Sequence, residues 1–343
     1  MASELPTVSL LMPNRNNGGI LERTLTTLAD HTDYPNFELI VVDDGSTDSS
    51  RQILRRWRES GRFREFTVIE CEHRGVQPSL NTAAAAASGR LVAQMDGDAI
   101  VETPGWLERM VRFVESDPLV GVVTPAVVFG SGHVHAYGVD VIGPEGIHDG
   151  STTITEPVGQ RTAHYRVERV RARTVPPPSQ PVEVDASVGC CMLFRRDLYD
   201  EAGGFDEGYA PVWFEDVDMS LTARRLGTKV FLLGDVHVLH LGHLAGENPS
   251  AVRRLARRLP QRVIDLLVQI GQPKHPNADV RRRLGEHYAH WREKWGFDLL
   301  NPDMDAVFAR YGETEVCWRY DDDMRAAGER IAAADRTAQP TIS

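Results

Sequence analysis

Short apolar runs alternate with amphipathic stretches over the first hundred residues, and this alternation restricts the fold more than any other feature. Runs typical of buried strands occupy Val8–Met12, Phe37–Val42, Thr67–Cys71 and Leu91–Ile100. The stretches between them carry apolar residues at helical spacing. Buried strands that alternate with amphipathic helices are typical of a sheet covered by helices on both faces. The sequence therefore predicts an α/β fold with a doubly wound, mostly parallel sheet.

The fourth apolar run ends in two aspartates separated by a glycine, Asp96–Gly97–Asp98. On an extended chain the alternation of side chains places both carboxylates on one side. Open α/β sheets bind ligands at the carboxyl ends of their strands, and paired carboxylates suit Mg²⁺ or Mn²⁺. Asp and Gly are also common turn residues. The segment alone therefore predicts either a metal site or a plain turn.

The net charge restricts the partners of the chain. Its 343 residues carry 49 acidic and 38 basic side chains, for a formal net charge of −11. This balance disfavours a general nucleic-acid-binding surface. An acidic protein that binds a phosphorylated ligand needs a cation or arginines at the site.

Targeting signals are not evident in the sequence. There is no apolar run long enough to span a bilayer and no secretory signal at the N-terminus. The four cysteines lack zinc spacing and do not resemble a disulfide framework. We therefore expect a reduced, cytoplasmic protein.

The second apolar run ends in D-D-G-S-T-D, residues 43–48. A carboxylate at this edge of the sheet can accept a hydrogen bond from a nucleobase N–H group. Ser46 or Thr47 can instead cap the following helix, with Asp48 complementing the helix dipole. The two interpretations use different residues, and both stay open.

Three acids lie in W-F-E-D-V-D, residues 213–218, where a loop is predicted to enter a helix over residues 214–226. Acids in a first turn complement the helix dipole. Three acids in four positions also repel one another, by about 1 kcal/mol per pair at ~4 Å in water. An aromatic pair next to carboxylates can instead bind a sugar ring and supply a general base.

Three histidines follow that helix: His237, His240 and His243. On an extended strand His237 and His240 point to opposite faces. One histidine completing an aspartate-based metal site is therefore a better hypothesis than a zinc site.

Six motifs, in order and at suitable spacing, resemble those of the inverting family-2 glycosyltransferases of the GT-A fold. They are V-S-L-L-M-P-N-R-N, F-E-L-I-V-V-D-D-G-S-T-D, A-S-G-R-L-V-A-Q-M-D-G-D, G-C-C-M-L-F-R-R, G-G-F-D-E-G-Y and W-F-E-D-V-D-M-S-L-T-A-R-R-L-G. The resemblance covers about residues 7 to 245, and the second half is most similar to rhamnosyltransferase-type members. It implies a Rossmann-like nucleotide-binding half.

The resemblance implies roles on the donor side. Pro13, Arg15 and Asp44 would border the nucleotide base, and Arg74 would help to hold it. Asp96 would contact the ribose and approach the metal.

It also implies a divalent metal, Mn²⁺ or Mg²⁺. Asp98 would coordinate this metal beside the diphosphate. His240 would complete the metal site, with His243 as the competing choice.

On the acceptor side, the resemblance makes Asp216 the general base and Glu215 a residue that positions the acceptor. Trp213 and Phe214 would contact the acceptor. A carboxylate of ordinary pKa is ionised at neutral pH, as a base must be.

The domain expectations follow. Residues 1–250 would form the GT-A domain, with a nucleotide-sugar-binding half over 1–100 and an acceptor-binding half over 101–250. Residues 251–335 would form a helical region and 336–343 a disordered tail.

The expected donor is a UDP-, dTDP- or GDP-linked sugar, and the expected acceptor is a carbohydrate or a lipid-linked glycan. No nucleic acid is expected, and a homodimer is a further hypothesis.

Two other activities fit part of the pattern. A nucleotidyltransferase shares the sheet, the metal aspartates and the nucleotide, but normally has a glycine-rich basic loop after the first strand. A non-catalytic carbohydrate-binding protein would need neither acidic motif.

The C-terminal region is locally basic, with five arginines between Arg253 and Arg262 and three more at Arg281–Arg283. They form either a solvated helix face, a subunit contact or a peripheral contact with the inner face of the membrane.

Overall fold

The computed structural model describes residues 5–129, 134–136, 138, 177–241 and 278–296. Within them a ten-stranded mixed sheet has the order β3-β2-β1-β4-β9-β6-β10-β5, with β7 paired to β6 and β8 to β10. The strands are β1 Val8–Asn14, β2 Phe37–Asp44, β3 Phe66–Cys71, β4 Leu91–Met95, β5 Ala99–Val101, β6 Val120–Phe129, β7 Val134–Ala136, β8 Val182–Val184, β9 Cys191–Arg195 and β10 Lys229–His240.

Helices cover both faces of this sheet, as the alternation predicts. They are α1 Leu21–His31, α2 Ser50–Ser60, α3 Val76–Ala85, α4 Trp106–Ser116, α5 Arg196–Ala202, α6 Glu215–Arg225 and α7 Ala278–Trp295. One apolar cluster contains residues of α1, α2 and α4 and lies on one face. A second cluster contains residues of α3, α5 and α6 on the other face. The predicted α/β fold class is thus confirmed.

The first four strands of the sheet are parallel, and the antiparallel strand β9 lies between β4 and β6. β1 pairs in parallel with β2 and with β4, and β2 pairs in parallel with β3. β9 is antiparallel to both of its neighbours. This places the segment before β9 beside the carboxyl end of β4.

Two predicted elements are corrected by the structure. The run Leu91–Ile100 is not one strand, because a turn at residues 96–98 separates β4 from β5. α2 begins at Ser50 and not near Ser46, because the Asp43 carboxylate binds the Ser46 N–H and holds residues 43–46 in a turn.

α7 lies against the region that precedes α6. A third apolar cluster joins Trp291 and Trp295 of α7 to Tyr209 and to Leu221 of α6. The predicted helical stretch with Arg253–Arg262, and the predicted tail, lie outside the described residues. No helix among the described residues is both long enough and apolar enough to cross a bilayer.

Candidate functional site

Asp96, Asp98 and His240 form a group whose ligand atoms all lie within 4.8 Å of one another. His240 Nε2 is 3.6 Å from Asp96 Oδ2 and 3.5 Å from Asp98 Oδ1. Two carboxylate oxygens and one imidazole nitrogen are a suitable ligand set for a divalent ion such as Mn²⁺. The three side chains that the sequence associates with a metal therefore come together.

Backbone pairing brings this group together. Asp96 and Asp98 lie in a turn closed by a 3.0 Å hydrogen bond from the Ala99 N–H to the Asp96 carbonyl. β5 then pairs antiparallel with β10, and Ala99 is opposite His240. The Leu241 N–H also donates to the Asp98 carbonyl at 3.2 Å. Both interpretations of D-G-D are thus compatible, since the turn itself presents the carboxylates.

The electrostatics of the group favour a cation. Burial raises the pKa of Asp96 to about 7; the charge of His240 opposes this shift, and those of Asp98 and Asp216 add to it. The Asp96 side chain is nevertheless 29% exposed. Burial alone would lower the pKa of His240, but the Asp98 and Asp96 carboxylates raise it. The crowded carboxylates thus need positive charge, from the imidazolium or from a metal.

His237 and His243, the other two histidines of this part of the sequence, are not seen in the group with the aspartates. His237 donates its backbone N–H to Thr103 Oγ1 at 2.8 Å, and its ring Nε2 is 2.9 Å from the Gly234 carbonyl oxygen. It does not belong to the group of His240 and the aspartates. His243 lies outside the described residues.

The three acids in the first turn of α6 each have a partner from a different part of the fold. Glu215 Oε2 accepts a 3.0 Å hydrogen bond from Gln77 Nε2 of α3. Asp216 Oδ2 accepts one of 2.7 Å from the Gly189 N–H. Asp218 accepts hydrogen bonds from Lys294 and Trp295 of α7. Their repulsion is thus offset by three separate sets of donors.

Two consecutive residues connect Asp216 with the group of Asp96, Asp98 and His240, called the metal group below because it could hold a metal ion. The Gly189 N–H donates to Asp216, and the Cys190 carbonyl accepts a 3.0 Å hydrogen bond from the Asp96 N–H. A Cβ on Gly189 would lie 3.2 Å from the Asp216 Cβ, so this approach suits glycine. Residues 189–190 therefore hold a carboxylate of α6 beside the carboxyl end of β4.

Burial changes the acidity of the neighbouring pair Glu215 and Asp216. Burial and the Asp216 charge raise the pKa of Glu215 well above its ordinary range. Burial also raises the pKa of Asp216, against the lowering effect of the backbone N–H donors of Val217 and Gly189. The expectation of an ordinary pKa for Asp216 is therefore not met. A carboxylate with a raised pKa is a stronger base once it is ionised.

The aromatic pair before α6 adopts an unusual backbone conformation. Trp213 has φ +80° and Phe214 φ +68°, a region that bulky side chains rarely adopt. Gln77 Nε2 also donates to the Trp213 carbonyl at 3.1 Å. Trp213 is 40% exposed as a whole residue. The turn therefore presents an indole at the surface directly before the acids.

At the end of β2 the two aspartates differ in their contacts. Asp43 is fully buried and accepts hydrogen bonds from Asn14, Ser46 and Arg51, so it stabilises the turn. Asp44 binds the next strand-to-helix loop. Its Oδ1 accepts from the Arg74 N–H at 2.6 Å. Its Oδ2 accepts from the Gly75 N–H at 3.0 Å and lies 2.6 Å from His73 Nδ1.

The other residues expected on the donor side lie around the same edge. Pro13 is buried near the end of β1, and Arg15 follows that strand. The Arg74 guanidinium is directed away from Asp44 to Glu207 Oε2, at 3.0 Å. Gly97 packs on the loop after β1, because an added Cβ would lie 2.8 Å from Asn17 Nδ2.

Sequence reasoning missed four residues that support the site: His73, Gln77, Gly189 and Lys294. Gly189 is the first residue of the motif G-C-C-M-L-F-R-R, but its proximity to Asp216 follows only from the position of β9. Gln77 is the polar residue at the start of an alanine-rich helix, which is a weak signal. Lys294 lies in a basic region that is typical of solvent-exposed helices, so no sequence signal singled it out.

Comparisons with known proteins agree with the geometry. The family model described as Glycosyl transferase family 2 matches residues 9–203, which is more than half of the 343 residues. The chain is similar to N-acetylglucosaminyl-diphospho-decaprenol L-rhamnosyltransferase of Mycobacterium tuberculosis, with 26% identity over 270 residues, covering 73% of this chain and 80% of that protein.

Two further similarities concern a longer protein and a solved structure. The O-antigen biosynthesis protein RfbC of Myxococcus xanthus is 26% identical over 239 residues, 68% of this chain and 17% of RfbC. The chain spans only 23% and 17% of the first curated relatives that it matches. The mannosyltransferase PcManGT from Pyrobaculum calidifontis, solved with GDP-Man and Mn²⁺, has a TM-score of 0.53 at 20% identity, covering 98% of this chain and 77% of that one. This last likeness shows the GT-A fold alone.

Proposed function

The chain belongs to glycosyl transferase family 2, and on this basis we propose that it is a metal-dependent, inverting glycosyltransferase. It moves a hexosyl or deoxyhexosyl group from a nucleoside-diphosphate donor to an acceptor hydroxyl. One observation carries the proposal: residues 189–190 join the Asp216 carboxylate to the Asp96–Asp98–His240 group through two hydrogen bonds. A base and a metal group are thus held at one edge of the sheet.

On the donor side, Asp98 and His240 hold the divalent ion, and Asp96 contacts the ribose and the ion. This ligand set fits Mn²⁺ or Mg²⁺, because it offers two carboxylate oxygens and one imidazole nitrogen. When bound, the ion stabilises the charge that develops on the departing diphosphate. Pro13, Arg15, Asp44 and Arg74 border the base of the nucleotide.

Asp44 serves this role through its position. Its carboxylate orders the backbone of residues 73–75, which lies at the same sheet edge as the ends of β1 and β4. A nucleobase bound at this edge meets a segment, residues 73–75, that already has a fixed conformation. Pre-organisation of this kind lowers the entropic cost of binding.

On the acceptor side, Asp216 takes the proton of the attacking hydroxyl group. Its raised pKa increases its basicity, while the Gly189 N–H keeps one oxygen in place. The attack comes from the face opposite the diphosphate and inverts the anomeric configuration. Glu215, held by Gln77, positions the acceptor. Trp213 and Phe214 contact its sugar rings.

A lipid-linked glycan is our proposed acceptor class, with a carbohydrate or small molecule as the alternative. The related mycobacterial enzyme is an N-acetylglucosaminyl-diphospho-decaprenol L-rhamnosyltransferase, a name that specifies a lipid-linked acceptor. The proposed location is the cytoplasm, with peripheral contact at the inner face of the membrane. A homodimer is compatible with this arrangement.

The first experiment measures thermal shift with a panel of UDP-, dTDP- and GDP-sugars, each with Mn²⁺, with Mg²⁺ or with chelator. We expect stabilisation that requires both one nucleotide and a metal. NMR of the product formed from the stabilising donor would show whether the configuration inverts. No stabilisation across the whole panel would contradict the proposal.

Asp216→Asn tests the proposed base. The variant keeps the shape of the side chain but lacks the proton-accepting charge, so kcat should fall by about 10²–10⁴-fold. Nucleotide affinity in the presence of Mn²⁺ should remain as in the wild type. Asp200→Asn, which removes an exposed carboxylate on α5, is the matched control. Near-normal turnover of Asp216→Asn would remove this residue from the role, and binding without turnover in the wild type would favour a non-catalytic carbohydrate-binding protein.

A further inference from the structure

A single ammonium group of α7 binds acids at both ends of the segment that contains the proposed acceptor residues. Lys294 Nζ lies 2.7 Å from Asp206 Oδ2 and 2.8 Å from Asp218 Oδ2. Asp206 precedes a short 3₁₀ helix, and Asp218 is in the first turn of α6. Between these two residues lie Trp213, Phe214, Glu215 and Asp216. Lys294 therefore closes the chain over residues 206–218 into one ion-paired loop.

The charged side chains at the ends of this loop are buried enough that losing the Lys294 charge would be costly. The Asp218 side chain is 5% exposed, and those of Asp206 and Lys294 are 23% and 27% exposed. Trp295 Nε1 also donates to Asp218 Oδ1 at 2.9 Å, and His290 Nε2 is 3.0 Å from Asp206 Oδ2. Removing the ammonium would leave two carboxylates close together in a poorly hydrated place, which is strongly unfavourable.

The middle of the loop also rests on α7. His287 Nε2 lies 3.2 Å from the Ala210 carbonyl oxygen. The Phe214 ring has its centroid 5.8 Å from that of His287 and 6.0 Å from that of Trp291. Trp213 and Phe214 occupy the left-handed region, a conformation that persists only where the surroundings enforce it. The conformation that presents the indole therefore depends on contacts with α7.

We propose that Lys294 is a positioning residue. Its ion pairs with Asp206 and Asp218 hold α6, and the turn at Trp213 and Phe214 before it, in the arrangement that the transfer requires. This inference rests on the proposed function for the roles of Trp213 and Asp216. It adds that a helix beyond the residues matched by the family model completes the acceptor side of the site.

Hydrogen exchange on the full-length protein tests the structural step. In Lys294→Met, the amides of residues 206–218 should exchange about tenfold faster or more, because the loop opens more easily. Amides of β1 and β4 should exchange as in the wild type. Lys294→Arg keeps the charge and has enough N–H donors for both carboxylates, so it should restore most of the protection.

Two further variants separate the bridge from general effects. Asp206→Asn keeps an oxygen for the Gly208 N–H and leaves Lys294 paired with Asp218, but it breaks the bridge, so residues 206–218 should again exchange faster. Arg282→Met is the matched control, because it removes the exposed pair of Arg282 with Glu286 on the same helix. It should leave residues 206–218 unchanged.

Kinetics test the positioning step, with the donor that the nucleotide panel identifies and its acceptor. Lys294→Met and Asp206→Asn should raise the acceptor KM by about fivefold or more and lower kcat, since misplaced groups lose orientation. The donor KM and the affinity for the nucleoside diphosphate with Mn²⁺ should not change. A merely unfolded fraction would lower kcat and leave both KM values as they are.

The outcomes are distinguishable. Unchanged exchange of residues 206–218 in Lys294→Met, or an unchanged acceptor KM beside an active wild type, would overturn the positioning role. An equal change in donor and acceptor KM would also overturn it. A wild type that transfers no sugar from any donor would instead refute the proposed function, and exchange would then still decide whether Lys294 holds the loop.

Discussion

Three neighbouring acids, Glu215, Asp216 and Asp218, show that the surroundings of a carboxylate decide what it can do. Asp218 is paired with an ammonium and serves the structure. Burial and the Asp216 charge raise the pKa of Glu215, and its carboxyl group accepts a hydrogen bond from Gln77 Nε2. Asp216 receives backbone N–H donors and faces the metal group through residues 189–190. The same chemical group therefore fits three roles within one helical turn.

Residue identities in this site could be inferred from sequence because few side chains perform this chemistry. Asp96, Asp98 and His240 were candidates as hard or borderline ligands, and the structure brings them together. The supporting residues could not be inferred in the same way. Gln77 and Lys294 act through partners more than seventy residues away in the chain, and no local pattern reports such a distance.

The metal group allows a prediction at this scale. Asp98→Asn should abolish the stabilisation by Mn²⁺ with nucleotide, because one charged ligand is lost from a group of three. His237→Ala is a suitable control, because His237 lies on β10 with His240 but its ring contacts the Gly234 carbonyl. Thermal shift with and without chelator measures the effect. A full Mn²⁺ response in Asp98→Asn would exclude that side chain as a ligand.

At the scale of elements, apolar periodicity predicts the strands and helices of the first half because burial enforces it. The element ends differ from those predictions where polar contacts decide them. The turn at residues 96–98 interrupts an apolar run, and the Asp43 carboxylate delays the start of α2. The antiparallel insertion of β9 between β4 and β6 has no local signature, since its partners are remote in sequence.

The contact between α7 and the loop before α6 makes stability depend on pH. Burial would raise the pKa of Asp206, but hydrogen bonds from Lys294, His290 and the Gly208 N–H lower it to about 2. A lowered pKa in the folded state adds stability at pH values above the unfolded pKa of about 4, and this stability is lost as the pH falls from about 4 to about 2.

The free energy of unfolding of Asp206→Asn should accordingly be lower than that of the wild type by about 2 kcal/mol at pH 6. The difference should shrink as the pH falls below about 4. Urea unfolding at several pH values measures it, with Asp200→Asn as the control, because Asp200 is exposed and its ion pair with Arg196 contributes little. A difference that persists unchanged to pH 3 would contradict the contribution of the Asp206 carboxylate.

For the whole molecule, the acidic net charge of −11 coexists with basic residues in the C-terminal part of the chain. We predict that the full-length protein co-sediments with vesicles that contain anionic lipid, since each Lys or Arg near such a surface contributes about 1 kcal/mol. Binding should weaken with salt and be absent with neutral vesicles. Replacing Arg253, Arg254 and Arg257 with Gln should reduce it, and an absence of lipid dependence would leave a solvated helix face or a subunit contact.

The pairing of β5 with β10 has a consequence for folding. It joins Ala99 to His240, and the strands β6 to β9 lie between these two residues in the chain. Contacts between residues so far apart in the chain form late, because closing a long loop is entropically costly. We therefore expect the approach of His240 to the two aspartates, and any metal binding that depends on it, to be a late event of folding.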